Sequence, residues 1–411
     1  MRMALMSAGI LTCCAVAAPQ TFRKHDLELR VGPNPSAIAS RDLNGDGLPE
    51  IITANVGEMR SPRDPLPANN TLSFLLAQEN MAYTKQPEWS AGFAPYCIAI
   101  ANVDALKAPD VVVGNFHTAP GREISVFRNI GENAFEPLEF SAFSEHLGYR
   151  QRRDDDGEPV FTRPGITSLV VDFFDNDDYR DIVAAGWSSD RLIFVPGAPQ
   201  KYFGEARFIP AKGGPRDIQA ADFDRDGVLD LVVTLYNVGE LALWKGDGNG
   251  NFDPVDHFKT RGDIAHKVRI GDINGDGKTD LLVSHCFSED SIVLFYGEGD
   301  FKFTLSQELA LGEKRDVLEH EIRDVAIDDF NGDGRSDIAA ACFASGQVTV
   351  LINASTDEAL PQQFKREVYA YADARPRALS VADFNRDGAQ DLAVALWDAN
   401  AVGLLLSRHA Q

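Results

Sequence analysis

A nine-residue segment dense in aspartate recurs seven times between residues 42 and 391. Recurrence at a nearly fixed period limits the fold to architectures built from one repeated unit. In its clearest form the segment reads Asp222-Phe223-Asp224-Arg225-Asp226-Gly227-Val228-Leu229-Asp230, followed by the apolar run Leu231–Val233. Regular copies also span Asp42–Glu50, Asp272–Asp280, Asp329–Asp337 and Asp383–Asp391. Two copies are altered. Asp172–Asp181 reads as one residue longer, with Asp178 where the others have Gly, and Asn102–Asp110 has lost its middle carboxylate to Leu106.

Each copy follows an alternating or apolar run, such as Ile218–Ala221 or Val325–Ile327, and precedes two more, such as Leu231–Val233 and Leu241–Trp244. Period-two patterning bounded by turn residues specifies strands. A Gly/Asn turn ending in Phe (Gly246–Phe252, Gly297–Phe301) introduces a fourth, weaker strand. Four strands per unit, repeated seven times, predict an all-β, seven-bladed propeller of four-stranded antiparallel blades over residues 18–411. Only two strands follow the last acidic loop, so the seventh blade lacks its outer strand. Phe22–Val31 supplies it: Phe22 precedes Asp42 by 20 residues, as Phe252 precedes Asp272. The N-terminal strand is therefore expected to close the ring.

The chain has 62 Asp+Glu against 39 Lys+Arg in 411 residues, a formal charge of -23. That excess excludes a nucleic-acid binder, which needs a basic footprint, and disfavours general adhesion to anionic membranes. Met1–Ala17 has the order of a secretory signal peptide, with Arg2, an apolar stretch and a small-residue end. No later run is long enough for a transmembrane span. The expected location is secreted, periplasmic or cell-surface. Leu11-Thr12-Cys13-Cys14 fits a lipoprotein cleavage site poorly. Cys97, Cys286 and Cys342 remain after cleavage, an odd number that makes no disulfide framework. Buried free thiols are expected.

In the repeated segment, side-chain oxygens at positions 1, 3, 5 and 9 and a carbonyl at 7 could wrap a hard divalent cation such as Ca2+. The proposed ligand sets are Asp42, Asn44, Asp46, Leu48 and Glu50; Asp222, Asp224, Asp226, Val228 and Asp230; Asp272, Asn274, Asp276, Lys278 and Asp280; Asp329, Asn331, Asp333, Arg335 and Asp337; and Asp383, Asn385, Asp387, Ala389 and Asp391. The altered copy offers Asp172, Asp175, Asp177 and Asp181, and the Asn102 loop is read as metal-free. Gly47, Gly227, Gly277, Gly334 and Gly388 at position 6 permit positive φ. An EF-hand would need a Glu at position 12 and flanking helices. Plain Asx/Gly turns are the metal-free alternative, but repeated clusters of carboxylates are costly without a cation.

These residues resemble the FG-GAP/VCBS repeat family, which includes the propeller of integrin α chains. The resemblance covers about residues 22–408 and implies a seven-bladed propeller, Ca2+ in about five or six of the loops between the first and second strands of a blade, and a ligand face on the opposite side. The family hosts binding proteins, lectin-like proteins and some carbohydrate-active enzymes.

That opposite face carries the long insertions Gly57–Asn70, His117–Arg122 and Ser141–Pro164. Six positions before a loop's first acid stand Arg216, His266, Arg323 and Arg377, with Lys267 adjacent. They are expected to ring the channel mouth as a site for an anion or sugar acid, or else to pair with carboxylates such as Asp217 and Asp324. Phe116, Trp187, Tyr236, Phe287, Phe343 and Trp397 recur just past the second strands, either as sugar-stacking platforms or as packing. The sequence contains no G-x-S-x-G, H-E-x-x-H or P-loop motif. The primary expectation is a monomeric, non-enzymatic binding or adhesion module for a glycan or protein. A carbohydrate-active enzyme, such as a polysaccharide lyase using His266, Tyr236, His285 and the arginines, is the alternative. A structural unit with an apolar top face is the third.

Overall fold

The computed structural model describes residues 20–26, 28–57, 70–104, 108–116, 123–138, 150–153, 159–162, 165–199, 202–286, 291–311, 320–356 and 360–408. Met1–Ala17, Leu106, Phe287 and most of the three long insertions lie outside them.

Seven antiparallel blades form a ring. The innermost strands of blades 1 to 7 are Pro35–Arg41, Pro95–Ala101, Ile166–Asp172, Pro215–Ala221, Ala265–Gly271, Ile322–Asp328 and Pro376–Ala382. Each packs against the next, and the last packs against the first. Every second strand, from Glu50–Asn55 to Asp391–Leu396, is buried along its whole length. Neighbouring blades cover both of its faces, so its sequence is nearly continuous in apolar residues. Outer strands such as Phe252–Lys259 are mostly exposed. The core is accordingly divided into seven apolar clusters, one at each interface between consecutive blades.

The N-terminus closes the ring as two short strands, not one continuous strand. Phe22–Lys24 and Leu29–Arg30 both pair with the third strand of blade 7, Ala401–Ser407. Phe22 is buried against Phe330 and Tyr369, with ring centroids 5.3 and 5.7 Å away. It therefore ties the first residues of the ring to the interface of blades 6 and 7. Cys286 and Cys342 are buried free thiols, and Cys97 is half-buried. No helix among the described residues is long and apolar enough to cross a membrane. Among them, the exposed large hydrophobics are scattered over blades 2, 3, 4 and 6, and an apolar top face is not seen.

Candidate functional site

The innermost strands all break register at the same place. In every blade the ladder between the first and second strands skips just after the first residue. Such bulges re-aim a side chain, and here they occur at the end opposite the acidic loops. The re-aimed residues are Ser36, Tyr96, Thr167, Arg216, His266, Arg323 and Arg377. Four of these are the residues expected to ring the mouth. Tyr96 was missed, although it stands six residues before Asn102, the same offset as the others. A search confined to cations and His passes over it.

Tyr96 organises the mouth. Its hydroxyl accepts from Arg377, at 2.6 Å, and from Arg216. These guanidiniums come from blades 7 and 4. Arg216 and Arg377 are 8 % and 6 % exposed, and among the described residues neither has a carboxylate ion-pair partner. The expected pairing with Asp217 and Asp324 does not occur. Asp217 is taken by Lys267 at 3.1 Å and Arg269 at 2.9 Å, and Arg269 reaches Asp324 at 2.6 Å. Lys267 therefore belongs to a self-neutralised layer below the mouth. Arg323 pairs with Glu321. Its pKa is pushed down to about 10 by burial and by neighbouring Arg377. Burial alone would raise the Tyr96 phenol, but Arg216, Arg377, Arg323 and Lys267 outweigh it and bring the pKa down to about 8. His266 is 1 % exposed and both its ring nitrogens lack a hydrogen-bond partner. Burial and the same cations hold it far below the usual His range, so it is neutral at pH 7.

Aromatic rings form a collar around this group. Tyr96 contacts Phe116 at 5.3 Å, Phe116 stacks on Trp187 at 5.8 Å, Trp187 meets Tyr236 at 5.8 Å, and Tyr236 meets His266 at 6.3 Å. Phe343 and Trp397 pair on the other side at 6.1 Å. All five named aromatics beyond Tyr96 are half-buried. The Trp187 indole N–H is buried without a partner. His285 stands apart, hydrogen-bonded to Thr260 at 2.9 Å and Ser291 at 3.4 Å.

At the other end of the channel, the acidic loops share one internal bonding scheme. In blade 1, Asp42 accepts from the backbone N–H of Gly45 and Gly47, Asn44 from Asp46, and Asp46 from Leu48. Position 6 has φ between +78° and +88° in all five regular loops. At Gly227, Gly277, Gly334 and Gly388 an added Cβ would meet nothing within 4 Å, so backbone conformation and not space demands Gly there. The FG-GAP-like repeat profile matches residues 174–233, 230–283 and 329–394, which contain four of these five loops. The chain carries FG-GAP-like repeats within a seven-bladed β-propeller.

No curated protein sequence matches the chain. Solved structures share the architecture at low identity. The crystal structure of BBS1N in complex with ARL6DN matches at 14 % identity, TM-score 0.60, covering 96 % of this chain and 99 % of that one. The periplasmic gluconolactonase PpgL of Pseudomonas aeruginosa matches at 15 % and 0.56, covering 82 % and 88 %. Virginiamycin B lyase from Staphylococcus aureus matches at 13 % and 0.55, covering 94 % and 100 %. At such identities the likeness concerns the fold alone.

Within the FG-GAP loops the ninth acid has a second role that spacing does not reveal. It is fully buried in every blade. One oxygen of Asp391 accepts from Phe384 N–H and the other from Ser407 N–H, at 3.0 and 2.7 Å. The acid thereby straps the loop to the end of the third strand. The strap persists at Asp110 in blade 2, which has lost other ligands. It also corrects the blade 3 loop. There Phe174 donates to Asp181, so Phe174 holds position 2 and the loop has regular length. Asp172 is then a strand residue paired with Asp181 in the ladder, and Phe173 holds position 1. Asp172 thus falls outside the ligand set. The remaining acids Asp175, Asp177 and Asp181 bring one oxygen each within 4.8 Å of one another.

The FG-GAP loops fit a hard divalent cation. Their donors are oxygens, and burial pushes the ninth acid up to about 7 at Glu50, Asp337 and Asp391 and to about 6 at Asp181, Asp230 and Asp280. A bound cation would supply the missing counter-charge. Neighbouring loops also touch: Arg225 donates to the Gly277 carbonyl at 2.8 Å, and Arg386 to Gly47 at 3.2 Å. Both arginines occupy position 4 with φ near +60°, where other loops use Gly.

Proposed function

We propose that this propeller is a calcium-stabilised binding module for an anionic ligand, an acidic glycan in particular, at the channel mouth opposite the loops. The signal-like Met1–Ala17 segment would deliver it to the periplasm or the cell surface. The observation that carries this reading is the pair of buried guanidiniums, Arg216 and Arg377, which share one phenol and have no carboxylate partner among the described residues. Buried cations without a counter-charge are expensive, and an incoming carboxylate or sulfate would complete them through charge-assisted hydrogen bonds. Trp187 and Tyr236 hold the Arg216 guanidinium over their rings, 5.5 and 5.4 Å from the centroids, and so keep it at the mouth. The indole N–H of Trp187 and both nitrogens of the neutral His266 ring are buried beside the mouth without a hydrogen-bond partner. A glycan array with wild type, Arg216→Ala and Arg377→Ala tests the reading. Retention of uronate- or sulfate-bearing glycans by wild type, weakened in both variants, is expected. No acidic glycan retained by wild type refutes it.

The lowered phenol supports a second reading. At a pKa of about 8, a fraction of Tyr96 is phenolate at neutral pH. A base beside two guanidiniums that neutralise a uronate is the arrangement required by a polysaccharide lyase. Incubation with acidic glycans decides it. Unsaturated uronate products that vanish in Tyr96→Phe, with binding retained, would make the protein a lyase, and their absence leaves the binding module.

A further inference from the structure

In two of the seven loops a side-chain cation occupies the place where the ligand set would hold a metal. The relevant position lies on the third strand, immediately before the backbone N–H that straps the ninth acid. In blades 3, 5, 6 and 7 the strap donors are Gly197, Gly297, Asn353 and Ser407. They are preceded by Pro196, Tyr296, Ile352 and Leu406. In blade 1 the donor is Ala77, preceded by Leu76. None of these five side chains carries charge.

Blades 2 and 4 differ. The blade 2 donor is Asn129, and the residue before it is Arg128. Its Nε lies 2.9 Å from the Asp104 carboxylate at position 3. That loop has lost its position 5 acid to Leu106, and the guanidinium is the countercharge to Asp104 where a regular loop would hold a metal. The blade 4 donor is Gly246, and the residue before it is Lys245. Its ammonium bonds Asp224 and lies 2.7 Å from Asp226, the acids at positions 3 and 5. A metal would need both of those carboxylates at about 2.3–2.6 Å, and an ammonium bonded to the pair excludes it. Lys278 and Arg335, which also approach loop acids, each touch one carboxylate from within their own loop. Among the described residues neither bridges two acids of its ligand set, as Lys245 does.

We propose that Lys245 replaces the divalent cation in blade 4, as Arg128 does in blade 2, so that the loop with the most acidic ligand set is metal-independent. Asp222, Asp224 and Asp226, whose oxygens come within 4.8 Å of one another, then form a latent site that opens when the lysine is removed. The proposal rests on the calcium reading of the other loops, but its test is a difference that does not depend on their number. Bound calcium per chain is counted after equilibration and desalting for wild type, Lys245→Met and Asp226→Asn. Lys245→Met should bind one equivalent more than wild type, and its melting temperature should respond more strongly to calcium. Asp226→Asn should bind the same number as wild type. Equal counts for wild type and Lys245→Met overturn the proposal. So does loss of one equivalent in Asp226→Asn, which decides the matter if Lys245→Met does not fold. A wild-type count of zero would refute the calcium reading separately, and a gain of one in Lys245→Met would still support the lysine's role.

Discussion

Tyr96→Phe removes a single oxygen on which two buried guanidiniums converge. The ring remains against Phe116, so no cavity opens. A hydrogen bond to a charged group contributes about 1.5–3 kcal/mol. Two are lost, but water entering the mouth recovers part, and a net cost of about 2 kcal/mol at pH 7 is expected by that reasoning. The cost should grow with pH. The phenol's pKa falls from 10.0 to about 8 on folding. Between those values the unfolded chain holds the proton and the folded chain does not, so stability rises with pH. The phenolate's stabilisation is fully present above the unfolded value and is lost as pH falls through the folded one. Two units correspond to roughly 2.7 kcal/mol, so the gap between wild type and Tyr96→Phe should approach about 5 kcal/mol near pH 10.5. Urea denaturation at constant calcium, at pH 7 and near pH 10, measures the gap, and titrations shared by both proteins cancel. Tyrosinate absorbance should show one group titrating near pH 8 in wild type and none there in the variant. A gap that stays constant with pH, or a wild type with no tyrosinate below the ordinary range, would refute the reasoning.

Chelation should lower the melting temperature. Each loop held at a thousand times its Kd contributes about 4 kcal/mol, and an EDTA scan that superimposes on the calcium scan would remove metal from the account. Asp391→Asn should cost about 2–3 kcal/mol in EDTA, because a buried amide N–H2 would face a backbone donor, and more in calcium, where the charge that balances the cation is also lost; a cost confined to calcium-loaded protein would mean that Asp391 is a ligand and not a strap. Phe22→Ala should cost about 3–5 kcal/mol in chemical denaturation, and a smaller loss would mean that the N-terminal strand is not part of the cooperative ring. Arg377→Ala should weaken acidic-glycan binding by roughly 10- to 100-fold, the equivalent of one charge-assisted hydrogen bond, as measured by calorimetry; unchanged affinity would displace the site from the mouth.

Much of this molecule is legible in its repeats. The offset of 20 residues that places Phe22 before Asp42 and Phe252 before Asp272 also locates the strand that closes the ring. The offset of six that marks Arg216, His266, Arg323 and Arg377 marks Tyr96 as well, and the bulge explains why that position faces the channel. The blade 3 register was not legible, because Phe173 and Phe174 are adjacent and either could fill the buried second position. Only the hydrogen bond from Phe174 to Asp181 separates them.

The sequence alone determined the number of blades, the strand pattern and the oxygen-rich loops, because each is a local periodicity that every copy restates. Tertiary structure decided which charges are neutralised. Asp217 is satisfied by Lys267 and Arg269 from the next blade, some 50 residues away, and Asp224 by Lys245 from a strand two steps along. Charge pairing depends on distance in space, and in a ring of radial sheets the nearest countercharge commonly belongs to another strand or another blade. For that reason the two arginines left without a carboxylate among the described residues, and the loop filled by a lysine, emerge only when the ring is assembled.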